Sequence, residues 1–211
     1  MSASAFTQSG ELAGIERLRC GGQAALAETF TAHRDRLRRM IDLRLDRRVA
    51  GRVDASDVLQ EAYLDASRQF ERYRANPPMP LFLWLRWITG QRLMAIHRKH
   101  LGARKRDAKQ EVALYRHFPA ADSCSLSCGL AGRLTSPSRA VIRQEMQARL
   151  YAAIQALEPL DREILALRHY EELSNLEAAA ELGITPAAAS KRYVRALERL
   201  KTALGACSLP G

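Results

Sequence analysis

The chain has 211 residues, with 33 Lys+Arg against 23 Asp+Glu and a formal charge of +10. At roughly 100–150 residues per domain this fits one medium domain or two small ones, and 47% hydrophobic with 27% charged residues excludes general disorder. The basic excess favours an anionic partner, nucleic acid or a membrane surface, while four scattered cysteines (Cys20, Cys124, Cys128, Cys207) exclude a disulfide scaffold.

Residues 1–22 read as an N-terminal extension. Met1–Gly10 has neither a basic nor an apolar signal region, so a cytoplasmic chain is expected. The most apolar run, Leu81–Ile88, is far short of about 20 residues and contains Arg86, so no membrane partner is expected. Helical periodicity then dominates, with no period-two strand. A helix is predicted from about Gln23, with Leu26, Phe30, Leu37, Ile41 and Leu45 on its buried stripe. A second begins behind Asp54, its cap, and buries Val58, Ala62, Ala66 and Phe70. Three prolines in Arg74–Pro80 force a loop. A third helix buries Leu81, Trp84, Leu85, Ile88, Leu93 and Ile96, and a basic helix or tail runs on to about His117.

Residues 119–137 are small and polar and read as a flexible linker. Helix resumes near Ser138 and runs to Leu157, with Val141, Ile142, Leu150 and Ile154 as core candidates, until Glu158-Pro159 breaks it. Shorter helices follow at Asp161–Tyr170, Ser174–Leu182 and Pro186–Leu204. The expectation is an all-α chain of two small helical domains, residues 23–118 and 138–205, joined by a flexible tether.

The strongest local motif lies in Ser174–Arg195. Ala179 sits where two helices come close, Gly183 supplies the positive φ of a tight turn, Thr185 caps the next helix and Pro186 starts it. That helix then presents Ser190, Lys191, Arg192 and Arg195, as a recognition helix does in a major groove. An ordinary helical hairpin with a solvated charged face is the bland alternative. Ala187, Ala188 and Ala189 cannot hydrogen-bond bases and would let the helix seat closely against DNA.

Charge is uneven. Residues 1–118 hold 22 Lys+Arg and 13 Asp+Glu, and residues 119–211 hold 11 and 10. Within the basic half, Asp57, Glu61 and Asp65 fall on one helical stripe with Gln60 and Leu64 beside it. Such a stripe is either a solvated face or a dock for a cationic partner protein. Nine basic residues lie between Arg86 and Arg116, opposed by Asp107 and Glu111 only. Trp84 falls at core spacing, whereas Trp87 lies off that stripe and is the better candidate for stacking on an unpaired base.

Both halves resemble the bacterial RNA polymerase sigma factors of the extracytoplasmic-function (ECF) type. Asp54–Ala66 is similar to the family's polymerase-binding helix, with its D-x-x-Q-E core at Asp57, Gln60 and Glu61. Phe82–Ile88 followed by Arg92 and Arg98 resembles the promoter-melting helix, and Leu157–Leu200 the domain that binds the −35 element. The variants Arg52–Asp57 and Pro78–Arg86 look most like planctomycete-type members. The resemblance implies sigma region 2 at residues 23–118, for core polymerase binding, −10 recognition and melting, and sigma region 4 at residues 138–205. It implies that Asp57, Gln60, Glu61 and Leu64 bind the coiled coil of the β′ subunit of core RNA polymerase. Loop residues 71–80, with Arg74 and Asn76, would capture a flipped −10 base, while Trp87, Arg92, Arg98 and Lys99 hold the melted promoter DNA. Ser190, Lys191, Arg192 and Arg195 would contact −35 DNA with the domain seated on the β flap. An anti-sigma factor is a further partner the resemblance allows. Gln91 departs from the family's usual Asn, and Ala178 and Ala189 replace its usual branched apolar residues.

A stand-alone helix-turn-helix regulator is the rival reading, and it leaves the acidic stripe and the melting-like helix unexplained. A membrane-surface role would need Trp84 and Leu85, which the core claims. The five histidines show no ligand or nucleophile spacing, and no glycine loop cradles phosphate. Cys124, Cys128 and His117 are too few and too widely spaced for zinc. No catalysis, cofactor or metal is expected.

Overall fold

The computed structural model describes the backbone of residues 3–101, 120–134 and 140–205 and the side chains of residues 21–100, 120–131 and 144–202. The basic residues between Arg104 and Arg116, together with His117 and Cys207, lie outside them, as do the side chains of Cys20, Val141 and Ile142. Every regular element among the described residues is helical. Helix α1 (Ala3–Arg44) is broken at Gly22, whose φ of 53° no continuous helix can hold. A single turn, α2 (Arg47–Ala50), leads to α3 (Ala55–Ala75) and α4 (Leu81–Leu101). Then come α5 (Ser123–Leu134), α6 (Ala140–Ala156), α7 (Pro159–Leu165), a π-helical turn at Ala166–Tyr170, α8 (Asn175–Leu182) and α9 (Pro186–Gly205).

Helices α1, α3 and α4 pack on one another through the predicted stripes. Leu26, Leu37, Ile41, Val58, Ala62, Ala66, Phe70, Trp84, Leu85 and Leu93 are all buried. Asp54 caps α3 by accepting from the Ser56 N–H at 2.8 Å. The proline loop is tied down from inside: Tyr73 stacks on Trp84 with centroids 4.4 Å apart, and its hydroxyl donates to the Met79 carbonyl at 2.9 Å. Burial pushes the Tyr73 phenol up to about 12, so it remains a donor at neutral pH.

The helix-turn-helix has the geometry its sequence predicts. Ser174 and Glu177 form a reciprocal capping box on α8. Gly183 ends α8 at φ 65°, and the Ile184 N–H closes the turn on the Ala179 carbonyl at 3.0 Å. Thr185 accepts from the Ala188 N–H at 3.2 Å at the start of α9. Ala178, Ala179 and Ala189 are buried, so the alanines that replace branched residues belong to the packed side of the motif. Of the three alanines expected to face DNA, Ala187 and Ala188 are exposed and Ala189 is not.

The segment expected to be a structureless tether contains α5. Asp122 nucleates it by accepting from the Ser125 N–H (2.8 Å) and hydroxyl (2.9 Å). Leu126 and Ala131 are buried, and α5 lies along α6 and the π-helical turn. Gly129 makes that approach possible, since a Cβ there would fall 2.2 Å from Tyr170 Cε2. Twelve residues with so few branched apolar side chains carry no periodic signal.

The two halves meet through charge. Arg44 of α1 and Arg86 of α4, both with side chains 1% exposed, converge on the equally buried Glu171, at 2.6 and 2.8 Å. Arg44 also pairs with Glu163, and Arg86 with Glu181 at 2.6 Å. Around this centre Arg36 reaches Glu177 (3.2 Å) and the Glu172 carbonyl (3.0 Å), and Arg39 reaches the Glu172 carboxylate (2.6 Å). The Arg36 guanidinium lies 3.7 Å above the Phe82 ring. Arg86, counted from the sequence in the cationic track of α4, is a buried structural residue.

Burial alone would raise the Glu171 carboxyl, but the guanidinium groups of Arg44 and Arg86 hold it below the usual glutamate range. Its stabilising effect is therefore complete above the ordinary glutamate value and is lost as pH falls through the lower folded value. Replacing it with Glu171→Ala leaves two buried arginines short of a partner and is expected to cost about 3–5 kcal/mol in urea unfolding at pH 7. The deficit relative to wild type should shrink only below the usual glutamate pKa.

Candidate nucleic-acid interface

The acidic stripe of α3 is on the surface. Asp57, Gln60 and Glu61 are exposed, and Leu64 stands 47% exposed beside them. Together they form one wall of an open groove of about 500 Å³, whose other wall is α4 with Arg92, Ile96, Lys99 and His100. Arg52 and Val53 close its end. The acidic stripe and the distal half of the basic helix are thus opposite sides of one groove. Arg92, expected to hold DNA, is turned across it: its Nε lies 2.9 Å from Asp65, which its terminal nitrogen also binds, and Glu61 is at 3.4 Å. A cation so neutralised is engaged with the stripe in this structure. Arg98 and Lys99 are exposed near the end of α4, Lys99 on the groove wall.

At the other end of α4, Phe82 and Trp84 are core residues, and Trp87 is half-buried and packed against the same core. Arg74 is half-buried and paired with Glu71 at 2.6 Å, and Asn76 is exposed at the end of α3. Arg74 and Asn76 thus stand where α3 runs into the pinned proline loop, and Trp87 lies on α4 eleven residues before Arg98.

On α9, Ser190, Lys191 and Arg195 are exposed. Arg192 is not equivalent to them. Its guanidinium donates to Asp161 of α7 at 2.7 Å, and Arg199 binds the other oxygen of the same carboxylate, whose side chain is 4% exposed. Arg192 therefore fastens α9 to α7. Tyr193 reinforces the packing through its hydroxyl, 2.8 Å from His169 Nε2. Sequence reasoning passed over Val194 and Leu197, which are 47% and 36% exposed beside Arg195. Their three-residue spacing off the Ala189, Ala196 and Leu200 core stripe was the available signal. Among the described residues no group of three or more His, Cys, Asp or Glu side chains is placed to hold a metal, and no helix is long and apolar enough to cross a membrane.

Two outcomes separate contact residues from structural ones. Arg192→Ala is expected to lower stability by about 1–2 kcal/mol, because Asp161 keeps Arg199 but loses one of two partners. Arg195→Ala should leave unfolding within about 0.5 kcal/mol of wild type while weakening DNA binding in a fluorescence-anisotropy titration. Gly183→Val, forced to a left-handed φ, should cost about 1–2 kcal/mol in the same unfolding assay.

Comparison with known proteins bears on both halves. Residues 147–200 match the family described as Sigma-70, region 4. Across 197 residues the chain is 28% identical to the RNA polymerase sigma factor CarQ of Myxococcus xanthus, covering 92% of this chain and 98% of that one. The structure of CnrH in complex with the cytosolic domain of CnrY shares the fold, with a TM-score of 0.51 at 20% identity over 94% of this chain and 99% of that one. A sigma factor RpoE from Bartonella quintana, solved with the anti-sigma factor NepR, gives 0.47 at 19% identity, over 86% and 97%.

Proposed function

We propose that the chain is a sigma factor acting in transcription initiation, since residues 147–200 match sigma-70 region 4 and nearly the whole chain is similar to an RNA polymerase sigma factor, and that its surfaces divide that work. Residues 23–118 bind core RNA polymerase and open the −10 element, and residues 138–205 read the −35 element, with residues 119–137 between them. Asp57, Gln60, Glu61 and Leu64 dock on the β′ coiled coil. The observation that carries this is the exposure of two carboxylates and a leucine along one groove in a chain of net charge +10. Carboxylates steer and orient a cationic partner, and the apolar patch supplies contact area.

The proline loop with Arg74 and Asn76 receives the flipped −10 base, and Trp87 stacks at its edge. Arg98 and Lys99 hold the backbone of the opened strand. Arg92 joins them only by exchanging Asp65 for phosphate, so polymerase or DNA binding must compete for it. Ser190, Lys191 and Arg195 contact −35 DNA directly, and Arg192 acts there through its hold on α7. The −35 domain rests on the β flap, an anti-sigma factor is a further partner, and the chain works in the cytoplasm without catalysis of its own. The finer placement in a planctomycete-type subgroup rests on the resemblance of Arg52–Asp57 and Pro78–Arg86 alone.

The test is reconstitution with core RNA polymerase. Asp57→Arg and Glu61→Arg should each weaken co-purification at least tenfold, which corresponds to about 1.4 kcal/mol, with unchanged far-UV circular dichroism and unfolding. Undiminished core binding by both reversals would sink the docking assignment. Promoter binding by the reconstituted holoenzyme should fall with salt by about 0.9 log unit per log unit for each phosphate contacted.

A further inference from the structure

Helix α5 brings two thiols to one face. Cys124 is its second residue and Cys128 lies one turn on. The two thiols are electrostatic neighbours. Each also neighbours a different element: the Arg47 guanidinium of α2 bears electrostatically on Cys124, and Gln147 of α6 donates its Nε2–H to Cys128 Sγ at 2.7 Å. Cys124 is half-buried and Cys128 exposed. Burial, and then the neighbouring Cys124, push the Cys128 thiol up. The pair is asymmetric. One sulfur sits in the first turn of a helix beside a guanidinium, the setting in which a cysteine is an attacking nucleophile. Its neighbour stays protonated and accessible to a reagent.

We propose that Cys124 and Cys128 form an oxidisable dithiol that a hydroperoxide converts to a disulfide across the first two turns of α5. Cys124 thiolate attacks the outer peroxide oxygen, the O–O bond breaks, and the alkoxide or hydroxide leaves with a proton as alcohol or water. The resulting sulfenic acid is attacked at sulfur by Cys128, the S–S bond forms, the S–O bond breaks and water leaves. Two thiols lose two electrons and the peroxide gains them. The geometry demands little movement. Cβ atoms four residues apart on a helix are about 5–6 Å apart, and a disulfide needs roughly 3.5–4.5 Å. The tightening begins in the first turn, where N–H groups have no helical acceptor and Asp122 already serves as one. A metal is the poorer occupant, because no third ligand stands nearby among the described residues and the adjoining Arg47 is a cation. Since α5 joins the two halves, oxidation acts on the connector between them.

The test uses the full reduced chain and stoichiometric hydrogen peroxide. Trypsin releases residues 117–133 as one peptide that carries Cys124 and Cys128 and neither other cysteine. The expected product is that peptide lighter by two hydrogen atoms, restored by dithiothreitol. Cys128→Ser should instead trap a sulfenic acid on Cys124 that dimedone labels, and the exposed substitution Arg47→Ala should slow oxidation about threefold or more. A peptide that keeps both thiols, gains only oxygen, or is found linked to Cys20 or Cys207 overturns the proposal. So does an oxidation rate indifferent to Arg47→Ala.

Discussion

Glu171 carries the structure's central constraint. A buried carboxylate between two buried guanidinium groups is stable only while its partners stay in place, because each charge has lost its water and depends on the others, with Glu163 and Glu181 completing the set. The π-helical turn supplies the placement. It is followed by Glu172 in a left-handed conformation (φ 58°), costly for a side chain with a Cβ, and the Leu173 N–H closes back on the Leu167 carbonyl at 2.9 Å. That local strain points one glutamate inward to Arg44 and Arg86 and the next outward to Arg39. Apolar packing would have held the halves together with less discrimination between arrangements. A charge cluster of this kind tolerates one geometry.

The same cluster changes the meaning of the charge distribution. The C-terminal half is nearly neutral in sum, yet it is divided. Glu163, Glu171, Glu172, Glu177 and Glu181 face the arginines of α1 and α4, while Lys191 and Arg195 point outward from α9. The N-terminal half is correspondingly less basic to a ligand than its residues suggest, since Arg36, Arg39, Arg44 and Arg86 face glutamates and Arg92 faces Asp65. Net charge predicts an anionic partner. Which cations meet that partner depends on which ones the protein has already neutralised.

The helices that pack by periodicity were legible. Val58, Ala62, Ala66 and Phe70 repeat at helical spacing because α3 has one buried side, and that repetition is the physical cause of the burial. The turn into α9 was legible for a local reason also: Gly183, Thr185 and Pro186 each answer a backbone requirement within a few residues of themselves. Helix α5 was not, because a helix held by an Asp122 cap, a glycine contact with Tyr170 and a neighbour along its side needs no apolar stripe of its own. Exposure of Asp57, Glu61, Lys191 and Arg195 followed from their spacing, whereas the diversion of Arg92 and Arg192 onto carboxylates did not.

Sequence by itself determined the helical class, the caps and turn of the helix-turn-helix, and the acidic side of α3. All of these depend on residues within a turn or two of one another, or on a repeat that a single helix imposes. Tertiary structure alone decided which arginines are structural. Arg86 and Arg98 belong to the same basic helix and differ only in what stands opposite, Glu171 and Glu181 in one case and solvent in the other. The fate of a long cationic side chain is set by the nearest carboxylate in space, and for Arg86 the first of these lies 85 residues away along the chain.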